Sequence, residues 1–367
     1  MQIPKLRFKE FNDVLEKKQI IDVAPLQRGF DLPSNKLVNG KYPVVYSNGI
    51  LNYHNEYKCE PFGVVTGRSG TIGKFTFIDK KYYPHNTSLW VTNFHGNHPK
   101  FIYYLYHTIH IENYASGSTV PTLNRNDVHK HIVYIPSLEE QTKIANFLSL
   151  IDRKIELQEK LVENLKLYKK GLLQKIFKNE CQNVSLSNLL IEKNNKNSIG
   201  LEVCSVAVEK GVVNQVEHLG RSFSAKDTSK YNRVSYGNLV YTKSPTGLFP
   251  YGIIKQSYKK NDVAVSPLYA IYNPITFNVG VLIHSFFEYP INTNNYLHSL
   301  IQKGAKNTIN ISNSRFLEKS IPMPNDNSLI DKYANLIIDI NDKISYETKK
   351  LQDLKTYKKG LLQKMFI

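Results

Sequence analysis

The chain has 367 residues, 41% of them hydrophobic and 22% charged, with a formal net charge of +17. These values suit a globular protein with room for two domains and exclude a disordered or low-complexity chain. No apolar run of membrane-spanning length occurs, MQIPKLRFKEF lacks the apolar core of a signal peptide, and Cys59, Cys181 and Cys204 form no CxxC; a membrane span, a secreted disulfide scaffold and a cysteine zinc site are therefore not expected, and the chain reads as cytoplasmic.

Residues 1–137 read as mixed strands and turns. Tyr42 to Gly49 and Phe62 to Thr66 are short β-branched and aromatic runs bounded by Gly, Pro and Asn, the chemistry of strands and turns. GRSGTIGKFTFID (67–79) is a Gly-rich turn feeding another strand, and Ser88 to Thr92 follows as a further strand. Pro99 to Ile111 has helical apolar spacing through Phe101, Leu105 and Ile109. GSTVPTLN (117–124) is a polar loop leading to the strand Ile132 to Pro136, where proline stops the run. Ser137 or a neighbour then caps a long helix, with Glu139 and Glu140 in its first turn.

Residues 138–180 form that helix. Its apolar stripe runs through Ile144, Leu148, Ile151, Ile155, Val162, Leu165, Tyr168, Leu172 and Ile176, broken at Gln158. The stripe returns in residues 326–367 through Tyr333, Ile337, Ile340, Ile344, Leu351, Leu354, Tyr357, Leu361 and Met365, broken at Glu347. Both copies close on nearly the same line, KLYKKGLLQKIF and KTYKKGLLQKMF, with Leu165 and Leu354, Gly171 and Gly360, and Phe177 and Phe366 each 189 residues apart. Steps of three and four residues keep the stripe on one face and ask for a partner helix, most simply the other copy. Each helix is roughly 60 Å long. Gly171 and Gly360 break helical preference, which points to close backbone packing against the other helix or a partner.

Residues 181–325 repeat the order of the first block in weaker letters. Tyr236 to Thr242 stands for the strand before GRSG, Ser244-Pro245-Thr246-Gly247 for the turn, and Val263 to Ile271 for the strand around Trp90. Asn310-Ile311-Ser312 echoes Thr122-Leu123-Asn124, and Ile321-Pro322-Met323-Pro324 stops the last strand. The expected fold is α+β: two similar mixed α/β heads joined by two long antiparallel coiled-coil helices in a pseudo-twofold repeat, with Gln158 opposite Glu347 in the seam. The charge excess sits on the heads, at +6 and +7, against +2 on each helix. Two basic bodies on near-neutral rods suit a polyanion gripped at two places.

Catalytic and metal motifs are absent. In GRSGTIGK the glycines Gly67 and Gly73 are spaced wrongly for a phosphate loop, and Phe75 stands where Ser or Thr would bind magnesium. No NPPY or GxGxxG occurs, and His107 with His110, or His129 with His131, lack a helix-spaced carboxylate for a hydrolytic zinc site. No cofactor and no metal are expected.

The doubled KKGLLQK lines, GRSGTIGK followed by YPHNTSLWV (83–91), GSTVPTLN, and IPSLEEQTKIANFL (135–148) together resemble the specificity subunits of type I restriction-modification systems along essentially the whole chain. The resemblance implies a non-catalytic reader of double-stranded DNA, with target-recognition domains at 1–137 and 181–325 each reading half of a split site. It also implies spacer helices at 138–180 and 326–367, and modification (methyltransferase) and restriction subunits as partners. In the second head SPTGLFPYG (244–252) matches GRSGTIGK only loosely.

Within such a reader, lysines and arginines near turns are expected to grip phosphates: Lys41, Arg68, Lys74 and Arg125 in the first head, and Lys243, Lys255, Lys259 and Lys260 in the second. Polar side chains at loop tips are expected to read bases: Asn48, Ser69, Asn86, Ser118 and Thr119, then Asn310 and Ser312. The seam is expected through Ile151, Ile155, Gln158, Val162 and Leu165 against Ile340, Ile344, Glu347, Leu351 and Leu354. A protein-binding coiled-coil adaptor, a nonspecific basic DNA-binding protein and a self-contained enzyme are the competing readings.

Overall fold

A computed structural model describes residues 3–117, 121–178, 181–197, 200–220, 227–303 and 309–367. The chain divides into two compact units: residues 1–160 with 349–367, and residues 161–348. Both boundaries fall inside long helices, Leu138–Lys178 and Asn327–Met365, so each unit owns one head, half of one helix and half of the other.

The first head is built on an antiparallel four-stranded sheet in the order Leu26–Arg28, Ser88–Val91, Gly63–Gly67, Phe75–Ile78. The central strand Gly63–Gly67 is buried along its whole length, which explains its continuous apolar letters. A hairpin, Tyr42–Tyr46 with Gly49–His54, lies beside it, and Tyr83–Pro84 pairs with the hairpin in parallel. The helix Pro99–Tyr106 buries Phe101, Ile102, Tyr104, Leu105 and Tyr106. Glu16–Gln19 pairs antiparallel with Ile132–Ile135 and ties the start of the head to its exit.

That exit explains the letters of IPSLEEQ. Ser137 accepts from Glu140 N–H through Oγ (3.4 Å) and from Gln141 N–H through its carbonyl (2.9 Å), satisfying helix-end donors. Glu140, 2% exposed, accepts a two-pronged hydrogen bond from Arg7 at 2.8 and 2.7 Å. Gln141 accepts from His98 N–H at 2.9 Å and donates to Asn97 Oδ1 at 2.9 Å, so the long helix leaves the head at a fixed angle. Further along, residues 349–367 pack beside it. Asp152 pairs with Lys358 at 2.5 Å and Glu159 with Lys355 at 2.7 Å; because the partner number falls as the first rises, the two segments are antiparallel. Leu361 and Met365 complete the core around Ile144, Ala145, Leu148 and Phe101.

The second unit repeats the plan. Its four-stranded antiparallel sheet runs Leu190–Glu192, Ala270–Pro274, Leu239–Tyr241, Ile254–Gln256, the same order of first, last, middle and hairpin strands. Cys181–Ser185 pairs with Ser320–Pro324 as Glu16–Gln19 pairs with Ile132–Ile135. The strand standing for the Trp90 strand is Ala270–Pro274, whereas Val263–Val265 pairs separately with Asn232–Val234; the expected single strand over Val263 to Ile271 is broken at Pro267, which cannot donate to a ladder. Leu173 and Ile176 of one long helix and Ile330, Ala334 and Ile337 of the other share the core with Phe287, Tyr296 and Phe316.

The helical stripe differs from expectation at one position in each copy. Tyr168 and Tyr357 are 60% and 53% exposed. The inward position belongs to Lys169, 9% exposed, and to the half-buried Lys358: the step from Leu165 and from Leu354 is four residues, not three. Lys169 is neutralised by Glu288 at 2.8 and 2.6 Å. Gln158 and Glu347 are 7% and 4% exposed, Val162 is buried, and Ile151, Ile155, Leu165, Ile344, Leu351 and Leu354 are half-buried; Ile340 is buried at 7%. Among the described residues a Cβ added to Gly171 or Gly360 would meet nothing within 4 Å, so the close approach expected there does not come from them.

Candidate nucleic-acid interface

Three segments far apart in sequence meet in the first unit. The turn after the central strand is held on both sides: Arg68 N–H donates to Thr87 carbonyl (3.0 Å), and Leu123 N–H donates to Arg68 carbonyl (2.8 Å). Gly67 has no room for a side chain, since a Cβ there would lie 2.7 Å from Thr71 O and 3.0 Å from Ser47 O. Thr71 Oγ1 donates to the Ser47 carbonyl, bringing in the tip of the neighbouring hairpin. The turn then enters the strand Phe75–Ile78 and no helix, which removes the phosphate-loop geometry.

The result is a cleft of about 530 Å³ lined by Gln27, Arg28, Arg68, Thr122, Asn124 and Arg125 among others. A second hollow of about 230 Å³ shares Arg28, Arg68 and Thr122 and adds Ser69, Asn86 and Thr87. Four of the expected residues, Arg68, Ser69, Asn86 and Arg125, thus come together.

Arg28 and Gln27 were missed because Leu26–Arg28 is too short to show a strand period. The structure supplies what the sequence lacked, a register that sets Arg28 against Leu89. His129 places this strand: its Nε2 accepts from Leu26 N–H at 2.9 Å, and burial holds the imidazole below the usual histidine range.

The cations differ in how they are held. Arg125 donates to Gln27 Oε1. Arg28 pairs with Asp31 at 2.9 Å, and Asn86 donates to the same carboxylate oxygen. Among the described residues Arg68 has no side-chain hydrogen bond or ion pair, leaving its planar fork of donors open. Asn48 is exposed at the hairpin tip, where its carbonyl accepts from Lys74 at 3.4 Å, and Lys41 lies 5.3 Å from the Tyr42 ring; none of these three lines the cleft. Ser118 and Thr119 lie outside the described residues.

In the second unit the equivalent positions carry other chemistry. Lys243 follows the central strand in a left-handed backbone conformation, φ 58°, unusual for a residue with a Cβ. It donates to Asn313 Oδ1 at 2.5 Å, and Asn313 donates to Glu192 at 2.7 Å. Burial holds the Lys243 ammonium below the usual lysine range, with Glu192 partly offsetting it. Ser312 caps the short helix Asn313–Phe316 as Asn124 caps Arg125–His129, so Asn313 stands where Arg125 stands. Glu192 ends its edge strand as Arg28 ends the other.

Ser312 Oγ accepts from Arg315 N–H at 3.3 Å, which uses it for the backbone. Asn310 lies in the short strand Ile309–Asn310. Lys260 is exposed, and Lys259 is 4.0 Å from Glu202. Lys255 is a correction. It is 5% exposed in the strand Ile254–Gln256, burial lowers its pKa, and Glu288 is the carboxylate raising it; a phosphate has no access to it.

Among the described residues no group of three or more His, Cys, Asp or Glu side chains could hold a metal ion, and no helix is long and apolar enough to cross a membrane.

Residues 12–167 match the family described as "Type I restriction modification DNA specificity domain". The chain is 23% identical over 153 residues to the type I restriction enzyme EcoprrI specificity subunit of Escherichia coli, covering 40% of this chain and 38% of that one. It is 28% identical over 178 residues to the putative type I restriction enzyme specificity subunit S.HindORF215P of Haemophilus influenzae, covering 44% and 45%. The matched stretches thus span less than half of those relatives.

The fold matches the crystal structure of a type I restriction-modification system S subunit from M. genitalium with a TM-score of 0.70 and 17% identity, over 100% of this chain and 99% of that one. A structure described under complex assembly and conformational transition of the type I R-M system matches at 0.51 and 12% identity, over 98% and 99%. Residues 12–167 thus match a type I restriction modification DNA specificity domain, and the chain as a whole shares the fold of a solved type I restriction-modification S subunit.

Proposed function

We propose that the chain is a non-catalytic reader of double-stranded DNA, cytoplasmic, in which each head binds one half of a split target and the long helices set the spacing between halves. The observation that carries this is the convergence of the turn at 67–71, the segment at 85–88 and the segment at 122–125 on one arginine-lined cleft. Arginine forks and oriented amides are the groups that read major-groove edges, while the surrounding lysines neutralise phosphates. Modification subunits are the proposed partners on the helices, where Gly171 and Gly360 leave the surface flat and Tyr168 and Tyr357 lie exposed. A restriction subunit would complete the assembly. No methylation or cleavage chemistry is assigned to this chain.

The test is binding of duplexes in which either half-site is scrambled, across a range of salt concentrations. Loss of affinity on scrambling either half supports the reading. Equal affinity for all duplexes with a steep salt slope reduces the chain to a nonspecific basic protein, and no affinity at all favours a protein-binding adaptor.

A further inference from the structure

Beside the first head's cleft, and among the matched side chains of the second head, stands one carboxylate that would repel a polyanion. In the first head Asp31 holds Arg28 at 2.9 Å and takes an N–H of Asn86 on the same oxygen. In the second, Glu192 takes an N–H of Asn313 at 2.7 Å, and Asn313 in turn accepts from Lys243 at 2.5 Å. The two acids do not occupy equivalent positions: Asp31 follows the edge strand Leu26–Arg28, whereas Glu192 is the last residue of Leu190–Glu192. Both heads thus tie an acid, an amide and a cation together, but in the first the acid holds both, whereas in the second it holds the amide and the amide holds the cation, so Asn313 keeps one N–H alone for a base acceptor.

Resting on the proposed DNA-reading function, we infer that Asp31 and Glu192 are positioning residues that set the sequence preference of their own half-site at the expense of general DNA affinity. The amide is the reason. An asparagine reads adenine by donating one N–H to N7 and accepting from N6 through its oxygen. With one N–H of Asn86 engaged by Asp31, the amide plane is fixed, and its other N–H and its carbonyl oxygen remain for a base edge. Arg28 keeps its remaining donors in the plane set by the same carboxylate. The negative charge meanwhile disfavours docking in which a phosphate, not a base edge, enters the cleft, so wrong registers lose more than the right one. A carboxylate serving stability alone would gain little here, because Asp31 is 66% exposed on its side chain and surface pairs contribute little.

The experiment is selection by the full chain from duplexes randomised in one half-site at a time, with nonspecific affinity measured beside it. Asp31→Ala is expected to lower the preference within the first half-site about tenfold, to leave the second unchanged, and to raise affinity for nonspecific duplex. Glu192→Ala is expected to do the converse. Asp31→Asn, which keeps an acceptor oxygen without the charge, is expected to retain most of the preference while still binding nonspecific duplex more tightly. Preference that survives intact in both alanine variants overturns the inference and leaves the function standing. Equal losses in both halves from either variant also overturn it, because they mark general damage. A wild-type chain without half-site preference overturns the function itself, and this inference with it.

Discussion

The two heads share a sheet and differ at its edge. Both run first, last, middle and hairpin strand in one antiparallel order, and both place a capped short helix after the last loop. At the three matched positions around the cleft, however, the first head presents Arg28, Arg68 and Arg125, and the second Glu192, Lys243 and Asn313. The strand interiors are buried and answer to packing, whereas the strand ends are free to differ. Under the proposed function, a duplicated fold carries two specificities without two architectures.

The same contrast reaches the core of each head, and the largest expected effect lies there. Phe316 and Val128 occupy the fourth position of the matched short helices, both fully buried, but Phe316 stacks on Tyr241 and Tyr272 at 5.0 and 4.9 Å. Phe316→Ala is expected to destabilise the second unit by about 4 kcal/mol and Val128→Ala the first by about 2 kcal/mol, read by denaturant unfolding. Equal losses would break the idea that the second head leans on an aromatic core.

Acid should act on the first head through His107. Among the described residues its Nε2 is buried without a hydrogen-bond partner, and burial pushes its pKa down to about 4. The folded state resists protonation that the unfolded chain accepts, so stability is intact above about pH 6.5 and falls as pH drops toward 4, by up to about 3 kcal/mol. His107→Leu is expected to flatten that fall in a pH series of melting curves.

At the proposed DNA contacts, Arg68→Ala is expected to weaken binding of the first half-site by about 2 kcal/mol, since its fork is open. Lys243→Ala is expected to weaken the second by about 1 kcal/mol, because its ammonium is already engaged by Asn313; fluorescence anisotropy on matched duplexes measures both. The smallest effect belongs to the exposed pair Lys355 and Glu159, each side chain 47% exposed, where a double-mutant cycle is expected to give about 0.5 kcal/mol.

Long-range order was legible in the sequence wherever one side chain repeats a constraint many times. The helices showed through dozens of residues of stripe, and the duplication through the 189-residue offset of Gly171 and Gly360. Single-residue choices were not. Whether Tyr168 or Lys169 turns inward depends on one step of four instead of three, settled by Glu288 waiting for the ammonium. Lys255 looked like its exposed neighbour Lys260 because strand alternation over three residues leaves no pattern. Arg28 escaped notice for the same reason. That Arg68, Ser69, Asn86 and Arg125 would lie near one another at turns was legible because turn chemistry marks its own location.

The first head's core includes Leu361 and Met365, and Leu6 N–H donates to the Lys364 carbonyl at 2.9 Å. On the ribosome, residues 349–367 emerge only after the whole second unit. The core of the head made first is therefore completed only when that segment emerges, and until then its apolar face around Phe101 and Leu148 lacks part of its cover. The second unit, contiguous from 161 to 348, has all its residues in hand before that segment emerges.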